Sequence, residues 1–351
     1  MNFAPMSANP SRFFVRLSAL CLILSGVFAI ALGVAGRFLP HDERFLGMSA
    51  RDLCALHGCR IVHFMIHDRV SFGGAVIATG LLYLWLAESP LRRGQAWAWW
   101  ALLLSGSIGF GSFFAYLGYG YLDSWHGLAT LALLLCFLLG LATRSRMRDK
   151  REGIRCLLQP SVRWSYRSPA GLGRACLLAT AVGLVVGGFT ILMVGMTCVF
   201  VPQDLAYMGL EVESLHALNP RLVPLIAHDR AGFGGAVCSC GAALLACVWC
   251  GKPSRSLWWV LALVGTIGFG TAIGVHPAVG YNDAVHLAPA VVGAIAYLTG
   301  LILTFRPMRS GAAGAESGPL GGGGLVYTPR GGIGVRCLAG VAGWPQESRS
   351  G

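Results

Sequence analysis

Ile66-His67-Asp68-Arg69-Val70-Ser71-Phe72-Gly73-Gly74-Ala75-Val76 returns in the second half of the chain as Ala227-His228-Asp229-Arg230-Ala231-Gly232-Phe233-Gly234-Gly235-Ala236-Val237. Each copy sets a His-Asp-Arg triplet at the mouth of a long apolar run, where burying charge is costly and a membrane begins. The chain reads as a duplication. Phe38-Leu39-Pro40-His41-Asp42 matches Phe200-Val201-Pro202-Gln203-Asp204, and Ser107-Ile108-Gly109-Phe110-Gly111 matches Thr266-Ile267-Gly268-Phe269-Gly270. Trp97-Ala98-Trp99-Trp100 is echoed by Trp258-Trp259, which suits an aromatic belt at a headgroup boundary. Finally, Gly120-Tyr121-Leu122-Asp123-Ser124-Trp125-His126 pairs with Gly280-Tyr281-Asn282-Asp283-Ala284-Val285-His286.

Composition places these copies in a bilayer. Of 351 residues, 55% are hydrophobic and 12% charged, with a mean hydropathy of +0.64; a soluble domain carries about twice that charged fraction. The net charge of +12 sits in short segments between apolar runs, the distribution that sets membrane topology, so nucleic acid is not an expected partner. The fold expected is all-α and integral to the membrane, with eight transmembrane helices in two parallel four-helix repeats. Residues 1–16 form a cytoplasmic N-terminus, 17–143 the first repeat, 144–174 a basic linker, 175–304 the second repeat and 305–351 a Gly-rich, disordered tail. The run after Arg16 could pass for a signal peptide, but its equally apolar counterpart deep in the chain argues for a true span. Arg144, Arg146, Arg148, Lys150, Arg151, Arg155, Arg163 and Arg167 put the linker, and with it both termini, in the cytoplasm of a bacterial inner-membrane protein.

On that topology all nine histidines fall on the outer side. The expected ligand-binding constellation in the first copy is His67, Asp68, Arg69, Asp123 and His126, and in the second His228, Asp229, Arg230, Asp283 and His286. In a functional reading, the arginines attract an anionic group while the imidazoles exchange hydrogen bonds or protons with a small polar solute. A structural reading makes Asp68–Arg69 and Asp229–Arg230 ion pairs at helix ends and Asp123 and Asp283 N-caps. For the whole protein, a membrane-embedded oxidoreductase or a metal- or haem-binding protein is the alternative to solute recognition, and a structural or partner-binding membrane protein comes after it. No metal ligand set is assigned; His126 and His286, just inside the fourth and eighth spans, are its weak candidates. The cofactor stays unknown, since no phosphate-binding loop, nucleophile elbow, HExxH or dinucleotide fingerprint is present.

Cys54 and Cys59 lie in the outer loop, an oxidising compartment, and are a candidate disulfide. Cys238-x-Cys240 and Cys247-x-x-Cys250 read as small packing residues. Gly183-x-x-x-Gly187, Gly270-x-x-x-Gly274 and the two Phe-Gly-Gly segments are expected to let helices approach closely.

The FLPHD, HDRVSFGG, GYGYLDSWH, VPQDLAYMGL, AHDRAGFGG and GYNDAVH segments resemble a largely uncharacterised group of bacterial multi-span membrane proteins, over roughly residues 15 to 305. Some members carry a dihydroorotate dehydrogenase label. That enzyme's flavin-binding barrel needs about eight alternating strands and helices, which this chain lacks, so the resemblance transfers no catalytic residue.

Overall fold

The computed structural model describes residues 10–114, 120–121, 124–142, 153–162 and 165–310. Among these the regular structure is helical: α1 Pro10–Val34, α2 Pro40–Leu46, α3 Ala50–His57, α4 Arg60–Glu88, α5 Ala96–Phe114, α6 Ser124–Leu141, α7 Pro169–Met196, α8 Pro202–Met208, α9 Val212–Leu218, α10 Leu222–Cys250, α11 Arg255–Val279 and α12 Ala284–Ser310. Eight of them are long and apolar enough to cross a bilayer, where every backbone amide must be satisfied within its own helix. The chain is a multi-pass, all-α membrane protein.

Two spans form the centre. α4 and α10 touch each other and are buried along most of their length, whereas the other six turn most of their surface outward. α4 lies between α1 and α11, and α10 between α7 and α5. Thus α5, third span of the first half, packs on the second half's central helix, and α11 does the converse.

Glycine decides how close these helices come. A Cβ on Gly26 would meet the Gly73 carbonyl at 2.5 Å, and one on Gly73 the Gly26 carbonyl at 2.7 Å. Gly188 and Gly234 are equally intimate at the α7–α10 crossing, while Gly74 faces Thr271 and Gly235 faces Ser112 across the halves. The Phe-Gly-Gly segments are therefore packing surfaces. Gly183, Gly187, Gly270 and Gly274 border open space instead, which corrects the expectation that they bring helices together. The tryptophans also differ from a simple belt: Trp97 and Trp99 are buried. The indole of Trp99 donates to Leu141 O at 2.7 Å, tying α5 to α6, and that of Trp258 to Leu301 O at 3.0 Å, tying α11 to α12.

One end of the bundle is covered by α2, α3, α8 and α9. Pro40 and Pro202 open α2 and α8, where a missing amide costs nothing. Asp42 and Asp204 at the third helical position accept the amides of Leu39 at 3.3 Å and Val201 at 2.8 Å. Gly47 and Gly209 close these turns at φ of 71° and 68°. Ser49 and Asp52 form a reciprocal capping box on α3. Cys54 and Cys59 are joined by a disulfide at its far end.

Several boundaries differ from expectation. α4 begins at Arg60, so the polar triplet His67-Asp68-Arg69, expected at the mouth of the apolar run, sits inside the helix and not before it. Pro224 falls in the first turn of α10, where proline is tolerated. Arg174, expected in the basic linker, lies in α7; it is buried and donates to Val248 O at 3.2 Å and Trp249 O at 2.7 Å. The tail 311–351 and linker residues 143–152 lie outside the described residues.

Candidate functional site

Three consecutive residues on a helix point roughly 100° apart, so Asp68 and Arg69 cannot face one partner together. The structure sends them across the molecule. Arg69 Nε donates to Asp229 Oδ2 at 2.8 Å and its Nη2 lies 2.9 Å from Asp42 Oδ2. Arg230 Nε donates to Asp68 Oδ2 at 3.3 Å, and its Nη1 to Asp204 Oδ2. The adjacent pairs Asp68–Arg69 and Asp229–Arg230 expected from the sequence do not form. Each arginine instead bridges one carboxylate on the other central helix and one on a short capping helix of its own half. Each also lies over an aromatic face, Arg69 over Phe38 and Arg230 over Phe64.

Two tyrosines extend these bridges. Tyr121 OH donates to Asp42 Oδ1 at 2.5 Å, and Tyr281 OH to Asp204 Oδ1 at 2.7 Å. Burial opposes ionisation of Asp42, but Arg69, the Tyr121 hydroxyl, His41 and the Leu39 amide outweigh it and hold its carboxyl below the ordinary range. Burial, followed by the neighbouring carboxylates, pushes both phenols up, so they remain donors.

Around each bridge gather three imidazoles. His67 of α4 meets His276 of α11 and His286 of α12, with ring centroids 4.5 and 5.5 Å away, and the latter two are 5.5 Å apart. One nitrogen from each of the three lies within 4.8 Å of the others. Tyr281 stacks on His286 at 4.5 Å. The other group is looser: His126 of α6 lies 4.5 Å from His41 of α2 and 6.1 Å from His228 of α10, and His228 packs edge-on against Tyr121 at 4.5 Å.

The expected partnership within each half is thereby corrected. His67 joins His286, and His228 joins His126, because each third span packs on the opposite half's central helix and the start of the fourth span follows it there. Neither is the cluster at a rim: His67, Asp68, His228 and Arg230 are all under 7% exposed. Asp283 accepts the His286 amide at 2.7 Å as the cap of α12, the role the structural reading gave it. Its counterpart Asp123 lies outside the described residues.

Asp42, Asp204, Tyr121 and Tyr281 were missed as site residues, although each stands in a segment that matches one in the other half of the sequence. His41 and His276 had no such signal. Gln203 stands opposite His41, and no histidine occupies the place corresponding to His276. The chain matches no family model, no curated protein and no solved structure.

Proposed function

We propose that the chain is a bacterial inner-membrane protein whose two buried His–Asp–Arg–Tyr clusters, at the extracytoplasmic face, recognise a small polar or ionic solute. The chain is on this reading a tandem duplication, with the halves exchanging third spans to complete each cluster. One observation carries it: six imidazoles are concentrated around two charged bridges inside a helical bundle, where polar groups are expensive to bury and mark ligand or ion pathways. A lock between helix ends needs only the Asp–Arg–Tyr bridges. The imidazoles exceed that need, and the third one in each cluster comes from a position that does not recur. They, and not the arginines, are the recognition groups, because both guanidiniums are already held between two carboxylates.

Purified protein in detergent tests this by thermal unfolding against a panel of small polar and ionic solutes, transition-metal ions included. A ligand at about 100 times its Kd stabilises the folded state by about 2.7 kcal/mol. At least one probe should raise the midpoint of the wild type and leave His67→Ala/His228→Ala unmoved. A panel without effect, or one that shifts the folded double variant equally, overturns the reading.

A further inference from the structure

We infer that His67, His276 and His286 form a binding site for a borderline divalent transition-metal ion, of the Zn2+ or Co2+ kind. This rests on the reading that the clusters take a small ionic solute, and it names that solute for one of them.

Geometry is the first support. With metal–nitrogen bonds of about 2.0–2.1 Å, the rings of three imidazoles on one ion have centroids about 4.5–5.5 Å apart at ordinary coordination angles. The three measured separations, 4.5, 5.5 and 5.5 Å, fall in that interval. One nitrogen of each of the three imidazoles also lies within 4.8 Å of the others. His276 adds a second observation. It is 4% exposed, and its Nε2 has no hydrogen-bond partner, an arrangement that costs free energy unless a lone pair is used.

The surroundings fit a cation as well. His67 Nδ1 donates to Asp68 Oδ1 at 3.1 Å, which in the neutral ring leaves Nε2 as the atom with a free lone pair. A carboxylate behind a ligating imidazole fixes its tautomer and raises its basicity. Asp68 is held in turn by Arg230, Arg230 by Asp204, and Asp204 by Tyr281, whose ring stacks on His286. The support therefore runs in a closed circuit from one ligand to another. Two carboxyl groups against one guanidinium also leave a local balance that favours positive charge.

Ligand type selects the ion. Three nitrogens without an oxygen exclude Ca2+ and Mg2+ as the natural occupants, and no thiolate is present to draw a soft monovalent ion. Three protein ligands leave a fourth position for water or a further group, as in reactive rather than purely structural zinc sites. The cluster of His41, His126 and His228 does not gather its nitrogens in this way, so one site per chain is expected.

The full chain, purified in detergent and stripped with a chelator, should bind one equivalent of Co2+ with the visible ligand-field absorption of a low-coordinate nitrogen site, and Zn2+ should displace it. His276→Ala and His286→Ala, which leave the Asp–Arg bridges untouched, should each lower affinity at least tenfold. His126→Ala should retain the full stoichiometry. If either triad variant fails to fold, the corresponding His276→Gln or His286→Gln takes its place. Binding unchanged in the folded triad variants, or no binding to wild type, overturns the inference. Should the solute panel nevertheless find another ligand lost in His67→Ala/His228→Ala, the metal assignment alone fails; with no ligand of any kind, both readings fall.

Discussion

At the scale of single residues, the two arginines hold the clusters together. Arg69→Ala or Arg230→Ala leaves two buried carboxylates facing each other. Breaking a buried charge pair from one side costs on the order of 3–5 kcal/mol, so both variants should show that loss in chemical denaturation. Arg69→Lys should recover only part, because a single ammonium cannot reproduce the fork that spans Asp42 and Asp229. Asp42 adds a pH dependence. Its carboxyl titrates lower folded than unfolded, the groups facing it being the Arg69 guanidinium, the Tyr121 hydroxyl and the His41 imidazole. Its stabilisation is thus complete above the unfolded value near 3.9 and lost as pH falls through the lower folded one. Tyr121→Phe removes a donor to this carboxylate, costing about 1.5–3 kcal/mol, and should move the onset of acid unfolding to higher pH. An unchanged acid limb in that variant would show that Asp42 does not govern it.

Helices were the legible layer, and their partners were not. Spans announce themselves because a bilayer admits few solutions besides long apolar helices. Asp68 and Arg230, by contrast, are 162 positions apart, and nothing in a run of residues reports which distant helix a side chain will meet. Matched segments helped only where they matched: Asp42, Asp204, Tyr121 and Tyr281 stand at like places in the two halves, while His41 and His276 have no like residue in the other half. Glycine spacing misled for a related reason. Gly183 and Gly187 have the small-residue spacing of a contact face, yet the α7–α10 contact runs through Gly188 and Gly195. Substitution separates the two cases. Gly188→Ala would place a Cβ 2.3 Å from the Cys238 amide nitrogen and should cost at least about 1–3 kcal/mol as overpacking. Gly187→Ala meets nothing within 4 Å and should be neutral or stabilising by up to about 1 kcal/mol through helix propensity. Thermal unfolding of the pair in one detergent decides it.

The whole molecule combines two symmetric devices. The bridges Arg69–Asp229 and Arg230–Asp68 staple α4 to α10. Above them the short helices of each half grip the other: His57 Nε2 donates to Met208 O at 2.9 Å and Arg60 to Tyr207 O at 3.3 Å, while Asn219 donates to Leu46 O at 2.8 Å and Arg221 to Phe45 O at 2.6 Å. Both halves are needed for either cluster, so co-expressed half-chains should reconstitute the site only if they associate. The orientation proposed for this assembly rests on charge. Arg92 and Arg93 follow α4, Arg155 and Arg167 lie in the segment before α7, and Lys252 and Arg255 join α10 to α11, all at the end remote from the clusters. Basic segments stay in the cytoplasm, so the proposed extracytoplasmic face is the one that carries α2, α3, α8 and α9. Thiol labelling checks this directly, because exposed Cys198 follows α7 at the cluster end and exposed Arg93 follows α4 at the other. In intact spheroplasts a membrane-impermeant maleimide should label Cys198, with the signal lost in Cys198→Ser. In a Cys198→Ser/Arg93→Cys variant the same reagent should react only after the inner face is opened. The reverse pattern would place the clusters in the cytoplasm and remove the outer face as the side from which a solute reaches them.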